Sequence, residues 1–395
     1  MAATPDVQGQ PTTAIDSESK TSTQTFKIGT RASLLAKVQT NEVVNALKKA
    51  WPDYHYEIVA MTTTGDNNQA TALHKFNEKA LWTQELEVLL QSGELDLIVH
   101  SLKDMPTQLP HDLELGCVTK RNDPRDALVI KPSLADKYRS LYELPEGSVV
   151  GTSSLRRIAQ LKQHYSHLKF ADVRGNIGTR LAKLDNPESE YSAIILAAAG
   201  LARLGMERRI TTYLSKENGG MLHAVGQGAL GIETRKDDQR VKDLLSKIGC
   251  ERTMRQALAE RSVMRTLEGG CSVPIGIETE WVSKRSFAPE SSGIGIKPAE
   301  DYHKLSGVAV SSPESSSTTT EGGEMLADEM IMRAIVVSLD GQETAEVETR
   351  KLVSSRQDAE QFGWEASRLL VEKGAAKILE AITLNRGIIH EQGEA

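Results

Sequence analysis

The sequence lacks the features of a membrane or secreted protein. None of its 395 residues lies in a run approaching the roughly 18 consecutive apolar residues that cross a bilayer. The first 25 residues hold no arginine, three acidic residues and one lysine, and they lack the apolar core of a signal peptide. We therefore expect residues 1–25 to form a disordered tail, and the protein to be cytosolic with two or three globular domains.

Cysteine is scarce. The three cysteines, Cys117, Cys250 and Cys271, are widely separated and show no C-x-x-C spacing. This pattern argues against a disulfide framework and against a zinc site. We expect a reducing compartment and no bound metal.

Aromatic residues make up only 4% of the chain, and the net charge is −7. Positive charge is nevertheless concentrated between Gly151 and Arg209, where ten lysines and arginines stand against five acidic residues. A basic region in an acidic protein favours a small anionic ligand. A nucleic acid would more often meet a basic face with aromatic platforms, so we expect no nucleic-acid partner.

A repeated alternation of strands and helices is present instead. A first series places strands at 26–29, 54–61 and 95–100 with helices at 34–47 and 78–92 between them. A second series begins with a strand at 148–151, continues with a helix opened by Thr152, and reaches a strand at 192–197. This alternation predicts an α/β fold with ligand groups at the strand ends. The similar openings Gly29-Thr30 and Gly151-Thr152 leave duplication as an open interpretation.

The order of elements changes after Glu251. The pattern predicts a helix at 251–268, a strand at 274–281, a strand pair at 332–339 and 344–350 joined by Asp340-Gly341, and a closing helix at 357–385. This is the pattern of a small α+β domain. The polar segment 283–324 contains few aromatic residues, and we expect it to be a disordered insertion.

Arginines beside hydroxyls and glycines are the clearest candidates for ligand binding. Arg156 and Arg157 follow Thr152-Ser153-Ser154, so guanidiniums and exposed N–H groups can converge at one helix start. The segment Arg174-Gly-Asn-Ile-Gly-Thr-Arg180 adds two more arginines. A solvated basic face remains the alternative interpretation.

Three further residues are considered for the chemistry itself. Asp104 follows an apolar strand, where a carboxylate can act as a general acid or base or stabilise a cation. Its alternative role is that of a turn aspartate. Cys271 lies between two glycines and a nearby proline, on a connection where a thiol can reach a ligand, although a single cysteine is more often buried. His100 is another possible base, but its apolar strand favours a hydrogen-bonded core histidine.

Six motifs occur in one order between Phe26 and Thr279. They are Gly29-Thr-Arg31, His100-Ser-Leu-Lys-Asp-Met-Pro-Thr107, Gly151-Thr-Ser-Ser-Leu-Arg-Arg157, Arg174-Gly-Asn-Ile-Gly-Thr-Arg180, Ala224-Val-Gly-Gln-Gly228 and Leu267-Glu-Gly-Gly-Cys-Ser-Val-Pro274. Together they closely resemble the porphobilinogen deaminase family. The resemblance implies two periplasmic-binding-protein-like α/β lobes and a small α+β domain that carries the cofactor cysteine. We accordingly expect one lobe at 26–122 plus 226–246, the other at 123–225, and the third domain at 250–395.

The resemblance also implies the reaction. Members join four porphobilinogen molecules head to tail into hydroxymethylbilane, with release of four ammonia molecules, on a dipyrromethane primer. Cys271 would hold this cofactor by a thioether, and Asp104 would bind pyrrole N–H groups and stabilise the cation that forms. The implied cofactor- and substrate-binding residues are Arg31, Ser33, Lys79, Ser101, Lys103, Thr152, Ser154, Arg156, Arg157, Arg174, Arg180, Arg203 and Gln227.

Two other interpretations of the residues stay open at this point. A non-enzymatic module with two lobes that close on an organic anion would explain the arginines, with Cys271 idle. A nucleic-acid-binding regulator fits less well with the acidic total. Under the enzyme interpretation we expect a monomer whose partner is the small-molecule substrate, with no membrane association.

Overall fold

The computed structural model describes residues 24–63, 83–267, 273–284, 318–319 and 325–382. The predictions for Lys79, for Cys271, for residues 1–23 and for most of the segment 283–324 concern residues outside these ranges.

The elements alternate as the sequence predicts. In chain order they are β1 (Thr25–Arg31), α1 (Leu34–Ala50), β2 (His55–Met61), α2 (Gln84–Gln91), β3 (Leu97–Ser101), β4 (Leu113–Val118), β5 (Asp126–Ile130), β6 (Val149–Gly151), α3 (Leu155–His164), β7 (Lys169–Ala171), α4 (Ile177–Asp185), β8 (Tyr191–Ala197), α5 (Ala198–Arg203), β9 (Thr212–Leu214), β10 (Leu230–Arg235), α6 (Gln239–Leu245), α7 (Glu251–Thr266), β11 (Ile275–Lys284), β12 (Thr318–Thr319), β13 (Met325–Val337), β14 (Thr344–Leu352) and α8 (Arg356–Glu372).

Lobe 1 is built on a five-stranded sheet with the order β2-β1-β3-β10-β4. Strands β1, β2 and β3 run parallel, and β10 is antiparallel to both of its neighbours. Apolar residues on one face pack against α1 and α6, and those on the other face pack against α2. Because β1 and β3 are parallel, the polar residues that follow them lie at the same edge of the sheet.

Lobe 2 repeats this arrangement. Its sheet has the order β7-β6-β8-β5-β9, with β5 antiparallel to β8 and β9. The fourth strand of the sheet is β10 in lobe 1 and β5 in lobe 2. Strand β10 follows the strand-helix alternation of its lobe in the chain, and β5 precedes that of its lobe. The matching order supports the interpretation that the two series form similar units.

Two segments join the lobes, because β10 returns to lobe 1 after the whole of lobe 2. One connects β4 to β5 and the other connects β9 to β10, and we call them the crossover segments. They lie side by side: the Asn122 N–H donates to the Gly228 carbonyl at 3.2 Å, and the Arg121 Nε–H donates to the Gln227 carbonyl at 2.8 Å. Gly228 has a φ of +89°, which favours glycine.

The third domain packs α7 and α8 against a four-stranded sheet in which β13 pairs with β11, β12 and β14. The hairpin predicted at Asp340-Gly341 is confirmed, with Val337 opposite Thr344 and Gly341 at a φ of +82°. The closing helix is shorter than predicted. It ends at Glu372, Gly374 takes a φ of +99°, and a separate helical segment follows at 375–382. The expected fold class, α/β with an α+β third domain, is confirmed.

Candidate active site

Four of the predicted residues meet at one pocket of lobe 1. Arg31, Ser33, Ser101 and Asp104 line it together with Gln39, Thr83 and His100. Arg31 ends β1 and Ser101 ends β3, so the parallel strands bring them to one edge. Asp104 closes the single 3₁₀ turn Leu102–Asp104 that follows β3 directly. The structure therefore brings these four predicted residues together at one edge of the lobe 1 sheet.

Local hydrogen bonds position the hydroxyls of this pocket. Ser33 is the N-cap of α1, and its Oγ accepts the Ala36 N–H at 3.3 Å. Ser101 exchanges two hydrogen bonds with Gln39, at 2.8 and 3.0 Å. Both serines are thus held at the pocket by neighbouring elements rather than projecting freely into solvent.

The start of α3 in lobe 2 carries the second group of predicted residues. Ser154 is its N-cap, and the Thr152 Oγ1 accepts the Ser154 N–H at 3.3 Å. Arg156 and Arg157, in the first turn, are both buried. The structure thus places these hydroxyls at the start of α3 and the two buried arginines in its first turn.

A buried carboxylate, Asp126, binds both arginines. Arg156 Nη1 donates to Asp126 Oδ2 at 2.8 Å, and Arg157 Nη2 donates to Asp126 Oδ1 at 2.7 Å. Gln227, one of the predicted binding residues, donates to the same Oδ1 at 3.0 Å. Asp126 was missed from the sequence, although a lone acidic residue opening the apolar strand Asp126–Ile130 signals a buried charge that needs cationic partners.

The turn before α4 brings in Arg174 and Arg180. Gly175 has a φ of +110°, and its carbonyl accepts the Arg180 Nε–H at 2.7 Å. Asn176 caps α4 by accepting the Thr179 N–H at 2.8 Å. Glycine is therefore required here for the turn that fixes Arg180.

Arg203 lies between the lobes. Its Nε–H donates to Glu42 of α1 at 3.0 Å, and its Nη2 donates to the Gly228 carbonyl at 3.1 Å. These contacts tie α5 of lobe 2 to lobe 1 and to a crossover segment.

Positive charge is in excess where the two lobes face each other. Burial lowers the pKa of Lys103, and the charges of Arg157 and Arg180 lower it further, while Asp104 opposes the shift. Burial likewise lowers the pKa of Arg180 to about 10, with Arg157 adding to the shift. The groups that interact electrostatically here are five cations and three carboxylates. The cations are Lys103, Arg156, Arg157, Arg174 and Arg180, and the carboxylates are Asp104, Asp126 and Asp172.

Within the described ranges, no group of three or more histidine, cysteine or acidic residues is arranged to hold a metal ion. None of the described helices is long and apolar enough to cross a membrane. Two α/β lobes around a cleft with an excess of cations define a two-lobed α/β protein whose cleft suits an anionic ligand.

Comparison with known proteins gives the family. A model described as porphobilinogen deaminase, dipyromethane cofactor binding domain, matches residues 26–243, and one described as the porphobilinogen deaminase C-terminal domain matches residues 254–287. The chain belongs to the porphobilinogen deaminase family.

Curated relatives carry the same name. The porphobilinogen deaminase of Yarrowia lipolytica is 46% identical over 90% of this chain and 93% of its own length. That of Saccharomyces cerevisiae is 44% identical over 92% of this chain and 98% of its own length. That of Synechococcus elongatus is 53% identical over 64% of this chain and 78% of its own length.

The function expected from the sequence is confirmed by this membership. The protein is a transferase of tetrapyrrole biosynthesis that makes hydroxymethylbilane from porphobilinogen with a dipyrromethane cofactor. A non-enzymatic anion-binding module is not favoured.

Proposed function

We propose that Asp104 is the catalytic carboxylate of this transferase and that Cys271 holds the dipyrromethane cofactor by a thioether. The observation that carries the first part is the position of Asp104 at the lobe 1 pocket, with its charge acting on both Lys103 and Arg180. A carboxylate at this position can accept N–H hydrogen bonds and offset positive charge.

The charge of the cleft fits the cofactor. Each pyrrole unit brings an acetate and a propionate, so the carboxylates of the cofactor are opposite in charge to the five cations of the cleft. When bound, the dipyrromethane supplies the terminal pyrrole carbon on which the chain grows. Arg31, Lys103, Arg157, Arg174 and Arg180 bind the carboxylates of cofactor and substrate, because guanidinium and ammonium groups pair with them directly.

Helix α7 supports the assignment of Cys271. Arg261 of this helix donates to the carbonyls of Met105, at 3.3 Å, and of Pro106, at 2.5 Å, next to Asp104. The helix ends at Thr266, and Cys271 follows five residues later in the sequence, so the cysteine is connected closely along the chain to an element that contacts the segment after Asp104.

The chain's own groups perform the following work. The Asp104 carboxylate binds pyrrole N–H groups, stabilises the positive charge that develops as ammonia leaves, and accepts the proton released when the ring becomes aromatic again. The remaining residues orient the reacting rings through their carboxylates and N–H groups. They are Ser33, Lys79, Ser101, Thr152, Ser154, Arg156, Arg203 and Gln227.

The finer organisation belongs to the same proposal. The lobes comprise residues 26–122 plus 226–246 and residues 123–225, and the third domain comprises residues 250–395. The enzyme acts as a cytosolic monomer on its small-molecule substrate, without nucleic acid or membrane. Light scattering of the purified protein tests the monomer, and a mass of twice 43.2 kDa would contradict it.

Intact mass under denaturing conditions and steady-state kinetics test the site together. We expect wild type to carry the mass of two linked pyrroles, Cys271→Ser to lack it, and Asp104→Asn to retain it with kcat reduced about 100-fold or more. Asp104→Glu, which keeps the charge, should retain more activity than Asp104→Asn. Near-normal kcat in Asp104→Asn would contradict the catalytic assignment, and a pyrrole adduct on Cys271→Ser would contradict the attachment site.

A further inference from the structure

Three titratable side chains form a buried cluster behind the pocket of Asp104. Glu87 of α2, His100 of β3 and Glu233 of β10 are 6%, 6% and 0% exposed. His100 and Glu233 lie on the same face of adjacent strands, and α2 covers them together with Leu86 and Leu90. We refer to these three residues as the Glu87 cluster.

The cluster holds more acid than base. His100 Nε2 and Glu233 Oε2 are 2.8 Å apart, while Glu233 Oε1 and Glu87 Oε1 have no hydrogen-bond partner among the described residues. Two ionised carboxylates beside one imidazole would leave an uncompensated charge in apolar surroundings, which is costly. Burial raises the pKa of Glu87, and the charge of Glu233 adds to this rise, while the side chain of Thr83 and the charge of His100 oppose it. The surroundings of Glu87 therefore favour its protonated form.

Glu233 interacts with one residue that precedes Asp104 in the chain and with another that binds the residues following Asp104. On one side it binds His100, four residues before Asp104. On the other side its charge acts on Arg261, a buried residue that donates to the carbonyls of Met105 and Pro106. Glu233 thus acts on a residue of the strand that leads into the 3₁₀ turn of Asp104, and on a residue that binds the two carbonyls that follow this turn.

We propose that Glu233 is a positioning residue for Asp104, which it holds through His100 and Arg261, and that Glu87 is the member of the cluster that carries a proton near neutral pH. The inference rests on the proposed catalytic role of Asp104. Within the cluster, Glu233 and His100 act on Glu87, and Arg261 of α7 is the further charged residue on which Glu233 acts. Arg31 and Asp104 line the same pocket as His100.

Conservative substitutions test the proposal, with kcat and KM for porphobilinogen measured from about pH 6 to pH 9.5 on cofactor-loaded enzyme. Glu233→Gln should lower kcat about tenfold or more with KM within about threefold, because it disturbs the placement of Asp104 but not the binding cations. Glu87→Gln imitates the protonated acid, so kcat near neutral pH should stay within about twofold of wild type. The matched control is Glu94→Gln, an exposed residue just beyond α2.

The pH dependence provides the readout that a merely structural role would not move. A carboxyl whose pKa is raised in the folded state contributes stability below its unfolded pKa, and this stability is lost as pH rises through the folded pKa. Wild type should therefore lose stability and activity as Glu87 ionises, whereas Glu87→Gln cannot ionise there. Both the kcat and the melting temperature of Glu87→Gln, each relative to wild type, should rise with pH. The Glu94→Gln ratio should stay flat.

Three results would overturn the proposal. The first is a Glu87→Gln enzyme that is misfolded or as impaired as Glu233→Gln at every pH. The second is a ratio of kcat in Glu87→Gln to kcat in wild type that does not change with pH. The third is a Glu233→Gln enzyme with wild-type kcat. If Glu233→Gln does not fold, His100→Gln, which keeps a donor toward Glu233, must retain more activity than His100→Leu, and equal activity contradicts the proposal. Asp104→Asn measured in parallel separates the positioning role of Glu233 from the catalytic role of Asp104. Retention of kcat in Asp104→Asn would refute the role of Asp104 alone.

Discussion

At the scale of single residues, the most consequential feature is the buried carboxylate of Asp126. Burial by itself would raise its pKa, but the charges of Arg156 and Arg157 outweigh this and hold the pKa well below its ordinary value. The same carboxylate accepts a hydrogen bond from Gln227 of a crossover segment. Asp126 therefore fixes the two arginines that the cleft presents and links them to the connection between the lobes.

Removing this charge should destabilise the fold. Asp126→Asn leaves two buried guanidiniums without a counter-charge, and we expect the free energy of unfolding to fall by about 3–5 kcal/mol in urea denaturation. The matched control is Asp185→Asn, which breaks the exposed Arg209–Asp185 pair and should cost about 0–1 kcal/mol.

The sign of the pH dependence follows from the depressed pKa. The contribution of Asp126 is complete above the unfolded pKa of about 3.9 and is lost as pH falls through the lower folded value. The difference between wild type and Asp126→Asn should therefore be constant from about pH 8 to pH 4. A difference equal to that of Asp185→Asn would mean that the arginines need no buried partner.

At the scale of elements, the two crossover segments depend on a close backbone approach. A Cβ added at Gly228 would collide with the Asn122 carbonyl oxygen of the other segment. The left-handed φ of +89° adds strain for any other residue. The pairing of the segments is therefore specific to glycine for two independent reasons.

Alanine substitutions separate these two reasons. Gly147→Ala places alanine at a similar φ of +78° with no atom within 4 Å, so it should cost about 1 kcal/mol of unfolding free energy. Gly228→Ala adds the collision and should cost about 3 kcal/mol or more. Equal losses in urea denaturation would show that the collision is relieved by a small shift of the segment.

Element prediction succeeded where apolar periodicity and turn residues agreed and failed where one glycine decided the outcome. The periodicity of 357–385 predicts one helix, but Gly374 interrupts it at a φ of +99°. A glycine inside an apolar helical pattern is compatible with either a continuous or an ended helix. The packing of Ala375 and Ile378 into the third-domain core selects the second arrangement here.

At the scale of the whole molecule, Glu260 of α7 joins the third domain to the crossover segments. Its carboxylate accepts hydrogen bonds from Arg121 at 2.6 and 3.1 Å, from the Gly226 N–H at 2.8 Å, and from the Thr279 hydroxyl at 2.6 Å. Burial would raise the pKa of Glu260, but Arg121 and the other partners lower it overall. One buried charge thus contacts both crossover segments and the sheet of the third domain.

Loss of that charge should uncouple the third domain. Glu260→Gln leaves Arg121 buried without a counter-charge, and we expect the free energy of unfolding to fall by about 3–5 kcal/mol. In calorimetry the variant should show a separate transition at lower temperature. Glu360→Gln, which breaks the exposed Arg265–Glu360 pair, is the control and should cost about 0–1 kcal/mol. A single transition at the wild-type temperature in Glu260→Gln would show that apolar packing alone couples the domains.

The sequence by itself determined the α/β order, the hairpin at Gly341, the strand end that carries Asp104 and, through six motifs, the family. These features depend on short-range patterns of apolar residues, turn residues and motif spacing, which are legible along the chain. Only the tertiary structure decided which charges pair. Asp126 meets Arg156 and Arg157, Glu233 meets His100, and Glu260 meets Arg121 across separations of 30 or more residues. Such pairs are selected because a buried charge needs a partner in space, and position along the chain does not specify that partner.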